Sequence, residues 1–324
     1  MKRKFIWLSS TALLLLIWAS LNVGIVKLHS VLGLIFNHGN VDEVTIMQEI
    51  RGPRILAALL VGAALGVGGA LSQGALKNPL AEPVILGTSG GAALATLLGI
   101  LIFGIEIGTP VAISFGILGA LIATFSTYRL GREGKDGISF VIMGIAVSAT
   151  LIAIVGIASV MIAKPEAKGV TFWSLGTLSM TTRSQSEILL PILIATTFAA
   201  IKLAPNLDYL ALGDLRAKHL GINVSKVRFQ IFLVIAISIG AVTATFGQIS
   251  FLALAIPHIL RAIIGHRHKP LVIHSALLGA SLLLFADLAT RTLAAPNELP
   301  LGLMTAIFGA PVLIIAARKK AANA

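Results

Sequence analysis

An all-α polytopic membrane protein with ten transmembrane helices is the fold class this sequence predicts, and three observations carry it. The 324 residues are 56% hydrophobic and only 12% charged, with a mean hydropathy of +0.96, whereas soluble chains carry about 25% charged residues. The apolar residues fall in runs of about 20, the length a helix needs to cross the hydrocarbon core of a bilayer. The 25 Lys and Arg residues cluster between those runs. A ten-span division gathers most of them on one face, as the positive-inside rule requires. That distribution, rather than nucleic-acid binding, accounts for the net charge of +12. Cysteine is absent, which excludes disulfides, thiolate metal sites and a cysteine nucleophile.

Lys2, Arg3 and Lys4 precede the first span, residues 5–26. It reads as a retained helix rather than a signal peptide, because its apolar stretch is long for a cleaved one. Residues 27–50 form an outer loop. The second span, 51–75, carries Gly62 and Gly66 in GxxxG spacing, followed by Gly68 and Gly69. Such spacing lets helix backbones approach closely, so this span is expected inside the bundle. A proline-broken turn, KNPLAE at 77–82, leads into the third span, 83–104. The fourth, 110–128, ends in a basic loop at 129–135, and the fifth runs 138–163. An outer segment, 164–186, places Trp173 at the membrane interface. The sixth span is 188–204. Residues 229–264 would make a helix roughly 54 Å long, too long for one crossing. Gly247-Gln248 and Pro257 supply breaks, giving spans seven and eight. Spans nine (271–293) and ten (299–317) precede Arg318, Lys319 and Lys320. An even count puts both termini on one side, read as cytoplasmic. A single crossing at 229–264 would move Arg267 and Lys269 to the opposite face from the basic stretch before it.

That stretch, residues 208–228 (DYLALGDLRAKHLGINVSKVR), is polar between two apolar runs. Asp214 is expected to N-cap a short helix at 215–220, and Gly221 to take the left-handed conformation that ends it. At roughly 9 Å this helix cannot span a bilayer. It reads either as a helix lying on the headgroups or as a socket for a second protein. Chemistry elsewhere is sparse. There is no GxxxxGK[ST] phosphate loop, no HExxH and no nucleophile elbow. The seven histidines show no ligand spacing; His266 and His268 read as solvated loop residues and His258 as a hydrogen-bonded helix residue. Asp287 is the one carboxylate well inside a predicted span. Arg291, one turn on, gives it an ion-pair partner, although an intramembrane acid can also serve a proton relay.

Three stretches resemble one family. RGPRILAALLVGAALGVGGALSQGALKNPLAEPVILGTSGGA (51–92), LALGDLRAKHLGINVSKVR (210–228) and GQISFLALAIPHILRAIIGHRHKPLVIHSALLGASLLLFADLATRTLAAPNELPLGLMTAIFGAPV (247–312) are similar to the FecCD/vitamin B12-type permeases of ABC importers. The likeness covers nearly the whole chain, in order. It implies a type II ABC importer permease fold, one transmembrane permease domain over residues 1–324 with a cytoplasmic coupling segment at 205–228. By that likeness, Asn78, Pro79 and Leu80 form a gate at the cytoplasmic mouth. Asp214, Leu215, Arg216, Ala217, Lys218, His219, Leu220 and Gly221 couple to the ATPase. Arg51, Arg54 and Arg291 receive carboxylates of a substrate-binding protein, although Arg51 and Arg54 also read as snorkelling at a helix start. The loop before Ile138 does not match the family clearly, and no gate residue is assigned there.

The resemblance further implies a non-enzymatic chain that binds no cofactor of its own, with ATP and Mg²⁺ on a separate ATPase dimer. The other expected partners are a second permease copy or paralogue, an extracytoplasmic binding protein and membrane lipid, with no nucleic acid. The location implied is the bacterial cytoplasmic membrane. The expected cargo is an iron chelate, siderophore or haem, with cobalamin next. A proton-coupled secondary carrier is the reading from a different class.

Overall fold

The computed structural model describes residues 2–24, 40–132, 137–161 and 166–322. Parts of three expected segments, at 25–39, 133–136 and 162–165, lie outside the described residues. The chain enters as α1 (Lys2–Asn22). A short α2 (Val41–Thr45) then passes through one π-helical turn (Ile46–Arg51) into α3 (Gly52–Ala75). After a turn and a 3₁₀ segment (Pro83–Leu86) come α4 (Thr88–Phe103), α5 (Pro110–Arg132), α6 (Gly137–Met161) and α7 (Glu166–Ser174). The remainder is α8 (Arg183–Ala211), α9 (Asp214–His219), α10 (Val224–Phe246), α11 (Leu252–Ile264), α12 (His268–Thr292) and α13 (Leu301–Ala322).

Among the described residues, six helical segments rather than ten are long and apolar enough by themselves to cross a membrane. Four shorter apolar helices, Leu8–Asn22, Thr88–Phe103, Leu252–Ile264 and Leu301–Pro311, occupy the other predicted spans. Two of the shortfalls have a clear backbone cause. The third predicted span loses its first turn because Pro83–Leu86 winds as 3₁₀ and Gly87 turns left-handed at φ +76°. The eighth starts late because the chain breaks at residues 247–251, where Gly247 and Phe251 take φ of +75° and +67°. Pro257, expected as a break, sits inside α11 instead. It has no N–H to give the carbonyl of Ala253. That carbonyl lies against Gly69 of α3, where a Cβ would collide with it.

The bundle is built around α3 and α10. In each, 78% of the apolar window is buried, against 17% in α6, which exposes Ile142, Ile145, Ile154 and Ile157 at the periphery. The GxxxG expectation is met by a specific partner. Gly62 of α3 lies against the backbone of Gly279 in α12, and Gly66 lies against the carbonyl of Ser275. Bare backbones in contact gain dispersion energy that any larger side chain would forfeit. The two helices run antiparallel. One end of the bundle therefore gathers the starts of α3 and α8 with the end of α12. The other gathers the turn after α3, the loop around α9 and the start of α12.

Candidate coupling and gating site

At the second of these ends α3 stops at Ala75, and Lys77 takes a left-handed φ of +51°. The Asn78 side chain then shapes the turn, its Oδ1 accepting the Leu80 backbone N–H at 2.9 Å. The Asn78 carbonyl accepts the Ala81 N–H at 3.1 Å. This is the Asx-turn geometry that makes asparagine a turn residue, with Pro79 fixing its own φ. The turn presents Leu80 outward, 51% exposed, and buries Ala81. Glu82 follows, half-buried, with one carboxylate oxygen enclosed and unpartnered. Burial pushes its carboxyl up to about 7, against a weaker opposing pull from the Phe251 backbone N–H.

Helix α9 lies at the same end. Gly213 enters it at φ +101° and Gly221 leaves it at φ +81°, so the left-handed exit expected at Gly221 is present. The expected cap is not. Asp214 is the first helical residue rather than the N-cap, and no side chain caps α9. Gly213 occupies the capping position, where the backbone needs a conformation that only glycine takes freely. The Asp214 carboxylate is engaged elsewhere. It accepts Arg228 Nη1 at 2.8 Å and Nη2 at 2.9 Å, and Lys77 Nζ at 2.9 Å. Arg228 Nε also donates to the carbonyl of Ala75 at 3.3 Å. Partial burial pushes the Asp214 carboxyl up, but the bonds from Lys77 and Arg228 outweigh it and hold the group below the usual aspartate range. Ala217 faces inward, while Leu215 and Leu220 stand 73% and 58% exposed beside Arg216 and Lys218.

His268 and Trp173 both lie deeper than the sequence predicts. His268 is buried, not solvated. Asp208 Oδ1 accepts its backbone N–H at 3.0 Å and lies 2.7 Å from its Nδ1. An aspartate of α8 thus caps the start of α12, a job usually done by a neighbouring residue in sequence. The pair borders a cleft of about 580 Å³ with Tyr209, Arg261 and His266. Trp173, expected at an interface, is 3% exposed and packs with Ala93, Leu97 and Val155.

The three arginines assigned to docking converge at the opposite end, but turned inward. Arg51 and Arg54 are 5% and 7% exposed. Arg54 donates Nε to Asp287 at 2.9 Å and forks onto Glu298 at 2.7 and 2.9 Å. Arg291 Nε stands 3.2 Å from Asp287 Oδ2, a charge contact rather than an aligned hydrogen bond, and its Nη2 donates to Ser20 at 2.6 Å. Arg51 Nη1 donates to the Leu21 carbonyl. The Asp287–Arg291 pair expected from helix spacing is therefore present. Its stronger partner, Arg54, lies 233 residues away, beyond any local pattern. Among the described residues no group of three or more His, Asp or Glu side chains is placed to hold a metal ion.

Comparison with known proteins gives the geometry its context. The sequence model of the FecCD transport family matches residues 12–319. The hemin transport system permease protein HmuU of Yersinia pestis is 36% identical over 274 residues, covering 83% of this chain and 82% of that one. The vitamin B12 import system permease protein BtuC of Vibrio vulnificus is 35% identical, covering 84% and 82%. The iron(3+)-hydroxamate import system permease protein FhuG of Bacillus subtilis is 33% identical, covering 91% and 90%. In fold, the chain superposes on an inward-facing metal-chelate type ABC transporter with a TM-score of 0.85 at 24% identity, covering 98% and 99%. A family match across nearly the whole sequence, with relatives of this identity and coverage, makes the chain a member of the FecCD transport family of ABC importer permeases.

Proposed function

We propose that this permease carries an iron chelate, siderophore or haem, across the bacterial cytoplasmic membrane, with cobalamin as the alternative cargo. Relatives named for hemin and iron(3+)-hydroxamate stand beside one named for vitamin B12, so the cargo class rests on likeness rather than on a pocket. The observation that carries the coupling part of the reading is α9. It is a short helix whose basic residues lie between two exposed leucines, Leu215 and Leu220, at the same end as an exposed Asn-Pro-Leu turn. A surface of that kind suits a protein partner better than hydrocarbon, which charged side chains avoid. In this reading the chain crosses the membrane ten times as a single permease domain. The α9 end and both termini face the cytoplasm, and two permease copies or paralogues pair. An ATPase dimer, which holds ATP and Mg²⁺, pushes on residues 214–221. Asn78, Pro79 and Leu80 close the inner mouth.

The binding protein docks at the other end, which Arg51, Arg54 and Arg291 serve. Because these side chains are drawn inward, incoming carboxylates would have to compete with Asp287 and Glu298 for them. The same pairing argues against a proton-coupled carrier. The Asp287 carboxylate is taken up by two guanidinium groups from α3 and α12, the arrangement of a structural ion pair rather than of a relay. The test is uptake into proteoliposomes holding the permease with its ATPase and binding protein. ATP-dependent accumulation of radiolabelled ferric siderophore or haem is expected. Accumulation of cobalamin alone would select the alternative cargo. Uptake by the permease without an ATPase, driven by a proton gradient, would overturn the reading.

A further inference from the structure

We propose that Lys77, Asp214 and Arg228 form an ionic clamp that carries displacement of α9 directly into the Asn78-Pro79-Leu80 turn, with Lys77 and Arg228 as its positioning residues. The proposal rests on α9 being the coupling helix and adds the route by which its motion reaches the gate. Without such a route α9 would be loosely held. It has six residues, only Ala217 is buried, and a glycine at positive φ stands on each side of it. A Cβ at Gly213 or Gly221 would meet nothing within 4 Å, so both flanks are open. What fixes the helix beyond the Ala217 contact is the carboxylate at its first residue.

Asp214 uses both oxygens. Arg228 grips them as a fork, Nη1 to Oδ2 at 2.8 Å and Nη2 to Oδ1 at 2.9 Å, and Lys77 Nζ shares Oδ1 at 2.9 Å. Two parallel bonds to a planar guanidinium fix direction as well as distance, which a single lysine contact does not. The remaining donor of Arg228, Nε, reaches the carbonyl of Ala75, one of the last-turn acceptors of α3 that lack helix partners. The turn is therefore held from two points. Ala75 lies three residues before Asn78 and is tied to α10 through Arg228. Lys77 lies one residue before it and is tied to α9 itself. Lys77 accepts a left-handed backbone at φ +51°, costly for a residue with a Cβ, while its ammonium ends on Asp214.

Magnitude decides whether such a clamp can matter. A lone surface pair shifts an equilibrium by at most about fivefold and is screened by salt. The Lys77 and Asp214 side chains are 39% and 38% exposed, so the lysine contact alone is of that order. The forked arginine, 23% exposed, anchors it. Removing the lysine arm should thus cost about fivefold in coupling, the lower end of ordinary coupling energies.

The experiment uses the full complex in proteoliposomes and reads molecules transported per ATP hydrolysed. Lys77→Met, which keeps the chain length but not the charge, should lower that ratio about fivefold. Lys77→Arg should keep it. Asp214→Asn should lower it at least as far. The double variant Lys77→Met/Asp214→Asn should be no worse than Asp214→Asn alone, since both break one connection. Lys77→Gln serves as a second neutral variant, and an unchanged melting temperature would separate lost coupling from lost folding. Wild-type ratios in both neutral variants, or losses that multiply in the double variant, would overturn the clamp. If the wild-type complex itself neither hydrolyses ATP nor transports, the reading of α9 falls first, and the two failures are told apart by that control.

Discussion

Arg54 shows how far a residue's meaning depends on what surrounds it. Beside Arg51 at the start of an apolar run it reads as an interfacial cation. In the fold it is buried between Asp287 of α12 and Glu298. Removing one member of a buried pair leaves the other charged and unsolvated, at a cost of about 3–5 kcal/mol. Arg54→Ala should therefore destabilise the purified protein strongly in detergent melts, and Arg54→Ala/Asp287→Asn should recover part of the loss. Arg183→Ala, which breaks a pair exposed on both sides, should leave the melting temperature unchanged. Glu82 gives the pH-dependent case. Its carboxyl titrates near 7 when folded, above the ordinary value of 4.5. The folded state thus binds the proton more tightly, and the stability from this group is full below 4.5 and lost as pH rises through about 7. Melting Glu82→Gln beside wild type at pH 5 and pH 8 should show a larger relative gain for the variant at the higher pH. Of these residues, only the Asp287–Arg291 pair was legible in the sequence, because one helical turn brings the two together. Arg54 with Asp287, and Asp208 with His268, are pairings between elements, and no spacing rule reports them.

At the scale of elements, glycine was the most readable residue. The GxxxG of the second span announces a close helix contact, and α3 makes it, although the partner α12 could not be named from spacing alone. Gly66→Leu would drive a side chain into the Ser275 carbonyl. It should destabilise the bundle by about 1–3 kcal/mol or more, seen as a lower melting temperature and loss of the folded peak on size exclusion. Gly221 was equally legible. Its φ of +81° predicts that Gly221→Val strains the exit from α9. Transport should fall while the bundle stays folded, since a Cβ there meets no neighbour. Asp214 was misread for a physical reason. An aspartate before a short helix is usually a cap, but here Gly213 sets the entry and the carboxylate turns to Lys77 and Arg228. Asp214→Ala therefore loses ionic contacts, not a cap. The break between α10 and α11 was anticipated at Gly247, whereas Pro257 sits inside α11, where the carbonyl of Ala253 lies against Gly69 of α3.

For the molecule as a whole, the order of apolar runs was enough to lay out the bundle, because each run must bury itself or face lipid. Span lengths were less legible, since 3₁₀ turns and left-handed residues shorten helices without changing composition. The proposed orientation has a direct check, made clean by a sequence without cysteine. Leu215 on α9 and Leu293 after α12 are 73% and 68% exposed, at opposite ends. With the permease expressed without its ATPase, a membrane-impermeant thiol reagent should label Leu293→Cys in intact cells. It should label Leu215→Cys only after the membrane is opened. The reverse pattern would invert the topology. Where Gly62 meets Gly279 and Gly66 meets Ser275, no side chain stands between α3 and α12 to act as a lubricant, and Arg54 pins them again near one tip. The two helices are thus a single stiff strut. Its halves are not built to slide past each other, so in the proposed gating the pivot would fall in the few residues after Ala75. Loosening that pivot should quicken opening far more than loosening the strut.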